Sequence, residues 1–207
     1  MGILTHDELH AMVASGFVRG VPLAHIGAAS IDLTLGAMLW VESPPRGGST
    51  IVDLMGDDTP SLEPVDLLKR GHYDLQPGQF CLASSVEMFH LPNDLAGQVS
   101  LRSSLARSGL THNMAGFVDP GFCGSVITLE LVNVLRYRAL RLRPGLKIAQ
   151  VAFFRGAPVP KHASYATRGR YNYDGSATPS KGLDMPLGAR RTAVAPFPAS
   201  GGASAHV

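Results

Sequence analysis

Apolar residues recur along the chain with two different periods. Leu9, Met12, Val13 and Phe17 fall at helical intervals behind Thr5-His6-Asp7-Glu8, which has the spacing of a capping box. This pattern predicts one short helix over about 5–15. After Gly27 the period drops to two: Ile31, Leu33 and Leu35 alternate with Asp32 and Thr34 ahead of Gly36, which predicts a half-buried strand. Further strand-like runs lie at Tyr73–Leu75, Phe80–Ala83, Gly97–Leu101, Ser125–Val134, Ala139–Leu142 and Ile148–Phe154. Turn formers separate them at Pro77-Gly78, Pro92-Asn93-Asp94, Pro120-Gly121 and Pro144-Gly145. Many short strands at this spacing predict a mainly β fold, a sandwich, jelly roll or barrel, with Ser103–Ser108 as a single helical turn.

Two stretches stand outside this rhythm. Residues 43–64 are rich in Ser, Pro, Gly and Asp and read as a surface excursion. From about Gly182 the chain becomes rich in Ala, Gly, Pro and Ser, too poor in large apolar residues to offset the entropy of ordering. A flexible tail is expected over 182–207, and one folded domain over 1–181.

Composition adds an expectation of assembly. Charged residues are 16% of the 207, against a typical ~25%, and Gly (23) and Pro (15) are abundant, as if some surface were covered in an oligomer. The formal net charge of +2 conceals a strong asymmetry. Residues 1–94 carry four basic and twelve acidic side chains (−8), residues 95–173 eleven and two (+9), and residues 174–207 three and two (+1). A basic middle segment suggests a polyanionic ligand, while Arg136, Arg138, Arg141 and Arg143 are also placed to meet the acidic N-terminal part within or between subunits.

Several classes fall away. No apolar run approaches the ~20 residues of a membrane helix, and the N-terminus is polar and acidic, so a cytoplasmic location without membrane contact is expected. Cys81 and Cys123 are far apart, and CxxC and HEXXH are absent, which favours two buried thiols over a zinc site. The aromatics of the middle segment are scattered rather than gathered into a stacking platform, which argues against nucleic-acid binding.

Candidate chemistry centres on three places. In Val126–Val132, alternation puts Ile127, Leu129 and Leu131 on one face and Val126, Thr128, Glu130 and Val132 on the other. Glu130 is then either an ordinary exposed strand glutamate or a carboxyl group desolvated among apolar neighbours, which suits general acid–base work. Asp119, in Gly116-Phe117-Val118-Asp119-Pro120-Gly121-Phe122, is either a turn former or an acceptor for a sugar hydroxyl or a water. Arg102-Ser103-Ser104-Leu105-Ala106-Arg107 is either a solvated helix face or a phosphate cradle of two guanidinium groups, two hydroxyls and helical amides.

Taken in order, RSSLAR, AGFVDPGF, ITLEL and PGLKIAQ closely resemble the dCTP deaminase family, whose fold is shared with trimeric dUTPases. The resemblance also takes in Gly27–Gly36, Gly169-Arg170-Tyr171 and Thr178-Pro179-Ser180. It implies a distorted jelly roll, a homotrimer with sites between subunits, and a C-terminal lid at about 160–181 closing over the nucleotide. The implied reaction is hydrolytic deamination of dCTP to dUTP and ammonia at the cyclic amidine, supplying dUTP for thymidylate synthesis. Two alternatives accompany it: a bifunctional enzyme giving dUMP and pyrophosphate, and a non-catalytic nucleotide-binding regulatory homologue.

By the same resemblance Glu130 is the proton shuttle, and Ser103, Arg107 and the backbone of Ala115 position the water and stabilise its oxygen. Arg102 and Ser104 bind the triphosphate, Asp119 receives the 3′-hydroxyl, and Tyr165 packs on the sugar. Val118, Gln150, Arg170 and Asp174 complete the substrate-binding set. Mg2+ accompanies the triphosphate, no catalytic zinc is implied, and dTTP is a candidate inhibitor. Three departures stand out: Leu101 where the family has Gly, Asp174 where it has Gln, and compensating loop-length changes that suggest a β-bulge near Gly124-Ser125.

Overall fold

Strand β1 (Gly2–Ile3) leads into α1 (His6–Ala14), and the Thr5 amide donates to Glu8 Oε2 at 3.0 Å, the reciprocal half of the capping box. Leu9 and Met12 are the buried face of that helix. The computed structural model describes residues 2–181 other than 46, 48, 49, 55–58 and 114, so the tail expected over 182–207 lies outside the described residues. In chain order there follow β2 (Val18–Arg19), β3 (Ile31–Glu42), β4 (Leu62–Asp66), α2 (Leu67–Arg70), β5 (Tyr73–Leu75), β6 (Phe80–His90) and β7 (Leu95–Leu101). The chain continues through α3 (Ser103–Arg107), β8 (Leu110–His112), β9 (Phe117–Val118), β10 (Cys123–Asn133), β11 (Leu140–Leu142), β12 (Lys147–Arg155) and α4 (Tyr165–Arg168).

One antiparallel sheet dominates, in the order β8-β10-β6-β3-β12-β7-β9, with β1 on β12, β2 on β6 and β4 on β3; β5 and β11 pair separately. The sheet curls around a core in which Phe89 stacks near Phe153 and Phe122, at centroid distances of 6.2 and 6.3 Å. Leu129 and Leu131 from β10, and Ile31, Leu33 and Leu35 from β3, are fully buried there. Alternation thus fixes which face of each strand turns inward.

Where expectation and structure differ, the causes are local. Gly36 does not end its strand; β3 runs through it to Glu42 with a register shift between Leu35 and Leu39. A Cβ at Gly36 would stand 2.7 Å from Ser84 Oγ and 3.0 Å from the Ser84 carbonyl, so glycine allows β6 to approach closely. The expected excursion over 43–64 is too long, because Leu62–Asp66 forms β4 on the edge of β3, and Pro64 is tolerated in an edge strand. Strands β6, β7 and β12 extend beyond their predicted runs. The bulge predicted near Gly124-Ser125 is present: β10 shifts register against β6 between Cys123 and Ser125 and again between Val126 and Thr128.

The two thiols are not equivalent. Cys81 is fully buried, whereas Cys123 is only half-buried, with Sγ 3.4 Å from His90 Nδ1. The charge asymmetry is partly resolved within the chain. Arg141 Nε and Nη2 clasp both oxygens of Asp74 at 2.7 and 2.8 Å, Arg155 meets Asp94 at 3.5 Å, and Asp32 receives both Arg102 and Lys147. Among the described residues no helix is long and apolar enough to cross a membrane.

Candidate active site

The double shift in β10 shapes a cavity of about 450 Å³. Val126 and Ile127, which strict alternation would send to opposite faces, both line it, and Thr128 and Glu130 follow. Glu130 lies opposite Leu82 of β6 and receives the Asn113 amide on its own carbonyl at 3.0 Å. Its Oε2 is buried without a hydrogen-bond partner among the described residues. Leu62, Phe80, Leu82 and Val99 make the surroundings apolar. Glu130 is therefore half-buried, with Oε2 shielded and the side chain still 24% exposed.

The loop before β10 supplies the cavity mouth. The Phe122 amide donates to the Asp119 carbonyl at 3.1 Å, closing the Pro120-Gly121 turn, while Asp119 itself lines the cavity. The backbone of Asp119 makes the turn, and the residue itself is exposed and lines the cavity. Ala115 and Val118 line the same wall.

The far wall is the segment after β12. The Tyr165 amide donates to the Pro120 carbonyl at 3.0 Å, and its ring packs 5.5 Å from that of Phe122. Burial holds the Tyr165 hydroxyl above its ordinary range; hydrogen bonding to the Tyr171 backbone works against this, and the Asp119 charge reinforces it. Ser125 is buried and ties the segment to β10, donating to the Tyr171 carbonyl at 2.7 Å and accepting from the Asp174 amide at 3.0 Å. Gly124 takes φ +69°, and a Cβ there would stand 2.6 Å from the Tyr173 ring. Asp174 lines the cavity, but its carboxylate is held by Lys181 Nζ at 2.8 and 3.1 Å. Arg170 turns the other way and donates to the Lys181 carbonyl.

The remaining site candidates lie elsewhere. Ser103, Ser104 and Arg107 are exposed on α3, outside the cavity lining. Arg102 pairs with Asp32 at the start of α3, and Gln150 sits across the ladder from Asp32 and Ser100. The chain therefore carries two separate groups: an apolar cavity with three carboxylates, Asp119, Glu130 and Asp174, and a cationic, hydroxyl-bearing edge at α3. Among the described residues the cavity lining has no Lys or Arg. Leu101, at the end of β7, is half-buried and packs against the core.

Two further residues join the site that sequence reasoning had not singled out. His112 ends β8 with Nδ1 3.7 Å from Glu130 Oε2, and Lys181 compensates Asp174. The sequence reading places no strand at Leu110–His112, and the neighbour of His112 appears only once β8 pairs with β10.

The curled antiparallel sheet with a carboxylate-bearing cavity of ligand size beside β10 makes this a β-fold protein with a candidate ligand site. The family model for dCTP deaminase-like proteins matches residues 3–156. The chain is 36% identical to a dUMP-forming dCTP deaminase of Mycobacterium leprae, over 88% of this chain and 96% of that protein. It is 38% identical to one of Nocardia farcinica, over 89% of this chain and 94% of that protein. The solved 2′-deoxycytidine 5′-triphosphate deaminase of Agrobacterium tumefaciens shares the fold, with a TM-score of 0.59, 22% identity, and coverage of 75% of this chain and 49% of that one. The chain belongs to the dCTP deaminase-like family.

Proposed function

We propose that the protein deaminates dCTP and hydrolyses the resulting nucleotide, giving ammonia, dUMP and pyrophosphate. The observation that carries this reading is similarity at 36–38% identity, over nearly the whole chain, to relatives named dUMP-forming dCTP deaminases. It favours the bifunctional alternative over simple release of dUTP. A Glu130 side chain lining a largely apolar cavity, with one oxygen buried, supports the same chemistry.

In the deamination step Glu130 takes a proton from the water that attacks C4. It returns one proton to N3 and passes the second to the departing amine, so that C4–NH2 and water become C4=O and ammonia. The Ala115 backbone and the Ser103 and Arg107 side chains hold the water and the developing oxyanion. Asp119 anchors the 3′-hydroxyl and in the second step orients the water that attacks the α-phosphorus. Val118 and Tyr165 border the sugar.

The triphosphate needs cations that the cavity wall does not supply. Arg102, Ser104, Arg107 and Gln150 belong to the α3 edge, so one chain's cavity is completed by the edge of another, in a homotrimer. Arg170 and Asp174 act from the C-terminal lid, where Lys181 removes the repulsion that a bare Asp174 would exert. Mg2+ arrives with the substrate. Bound to the triphosphate, it would offset part of the phosphate charge. The same pyrimidine-sized space is where dTTP would compete.

Separating the nucleotide products formed from dCTP, CTP and dUTP with Mg2+ tests the reading. Ammonia, dUMP and pyrophosphate are expected from dCTP. Glu130→Gln is expected to stop ammonia release while the assembly stays intact. Accumulating dUTP would restore the monofunctional reading. Nucleotide binding by calorimetry without turnover would leave a regulatory homologue.

A further inference from the structure

The buried groups least accounted for face each other. His112 Nδ1 and Glu130 Oε2 are both buried, both lack a hydrogen-bond partner among the described residues, and stand 3.7 Å apart. Two such orphans side by side are costly unless they become a pair, because each has lost water without gaining a partner. The gap is several tenths of an ångström beyond a hydrogen bond, a distance that a side-chain rotation closes.

The His112 ring is placed to act on Glu130 and on nothing else titratable. Its side chain is 7% exposed, and it lines a second, smaller cavity of about 220 Å³ with Gln98, Ser100 and Thr111. β7, which packs against β8, contains no titratable side chain, and β10 carries Glu130 and, at its other end beside His90, Cys123. On α3 the charged groups are Arg107, which is exposed, and the capping Arg102, which is engaged by Asp32. Val99 lines both cavities, so the imidazole and the carboxylate meet where the two spaces adjoin.

We infer that His112 is a positioning residue for Glu130. Its Nδ1–H donates to Oε2 and thereby reserves Oε1 for the attacking water. This inference rests on the proposed deaminase reading. A carboxylate free to rotate presents either oxygen at a range of angles, whereas one anchored at Oε2 offers a single aimed lone pair to the water proton. The tautomer carrying the proton on Nδ1 leaves Nε2 as the acceptor on the ring's other side. His112 touches no reacting atom; it acts through Glu130.

The test compares two substitutions of matched shape, His112→Asn and His112→Leu. Asn keeps an N–H donor close to where Nδ1 stands, and Leu does not. Turnover of Mg-dCTP is followed as kcat and KM separately across about pH 5 to 8, together with thermal midpoints. H112L is expected to lose about tenfold to a hundredfold in kcat, the size of one hydrogen bond to a charged group, with KM unchanged and an altered acidic limb. H112N is expected to recover most of that loss and the wild-type pH profile. Equal kcat in H112L and wild type, or equal losses in H112L and H112N, would overturn the inference. Should H112L not fold, a folded H112N that loses about a hundredfold in kcat would overturn it alone. Absence of ammonia release by the wild-type protein would instead refute the deaminase reading.

Discussion

Ser125→Ala isolates how the C-terminal segment is held against the cavity. The hydroxyl is buried, donates to the Tyr171 carbonyl at 2.7 Å and accepts from the Asp174 amide at 3.0 Å. Each bond contributes about 1 kcal/mol net, so their removal costs about 2 kcal/mol. The loss falls on docking rather than on the core, because Ser125 Oγ touches the segment while Leu129 and Leu131 keep their packing. A cost of about 2 kcal/mol lowers the docked-to-undocked ratio about 30-fold. Other bonds to β10 remain: Val126 amide to Asp174 carbonyl at 3.0 Å, Tyr173 amide to Cys123 carbonyl at 3.1 Å, Cys123 amide to Asn172 Oδ1 at 3.0 Å, and Thr178 amide to Thr128 Oγ1 at 3.4 Å. The segment should therefore open more often but still close. Amide hydrogen exchange is the direct assay: residues 170–178 should exchange faster by about that factor while β10 and β6 stay protected. The KM for dCTP should rise in parallel if the segment closes over nucleotide. Unchanged exchange over 170–178 in the folded variant would refute the argument.

Two more predictions follow from the ionisable groups. Burial, and then the charge of Arg19, hold His90 below the usual histidine value of about 6.5, so the folded state keeps it neutral. Its contribution is complete above that unfolded-state value and is lost as pH falls through the lower folded value, because the unfolded chain takes the proton first. His90→Gln should lose less stability than wild type between about pH 7 and pH 5 in denaturant titrations, and an equal loss would contradict this. Burial pushes the Cys81 thiol up to about 12, while Cys123 is half-buried and stands beside His90. Iodoacetamide should label only Cys123 in the folded protein and both thiols in denaturant, and native labelling of Cys81 would refute the assignment.

The sequence was most legible where a period repeats often enough to be counted. Each long strand of the core, β3, β6, β7, β10 and β12, was present in the pattern, and so was helix α1 with its cap. β1, β2 and β9 span two residues each, too few for an alternation, and exist only because a neighbouring strand completes their ladders. β4 was concealed by Pro64, a residue that argues against a central strand but not against an edge. Glu130 and Asp119 could be nominated because a carboxylate stands out in an apolar or turn setting. His112 and Lys181 could not, because their meaning comes from partners 18 and 7 residues away that only the fold brings together. The docking of residues 165–181 joins backbone groups to one another and to the Ser125, Asn172 and Thr128 side chains, partners far apart in sequence that no local pattern announces.

The charge asymmetry bears directly on how the proposed substrate is held. Some of the excess cations of the middle segment are consumed inside the chain: Arg141 by Asp74, Arg155 by Asp94, and Arg102 and Lys147 by Asp32. The cavity wall gains none of them and instead carries Glu130, Asp119 and Asp174, of which only Asp174 has a compensating lysine. Such a wall suits an uncharged base and a sugar hydroxyl and repels a triphosphate. Binding of dCTP therefore requires cations from outside the wall, and the exposed Arg107 with the hydroxyls of Ser103 and Ser104 forms an edge with no anion beside it in its own helix. On the proposed function, a second copy that brings this edge to the cavity mouth supplies the missing charge. On that reading the site is thus divided between copies, with Glu130 on one copy's cavity wall and the phosphate-binding groups on the α3 edge of its neighbour.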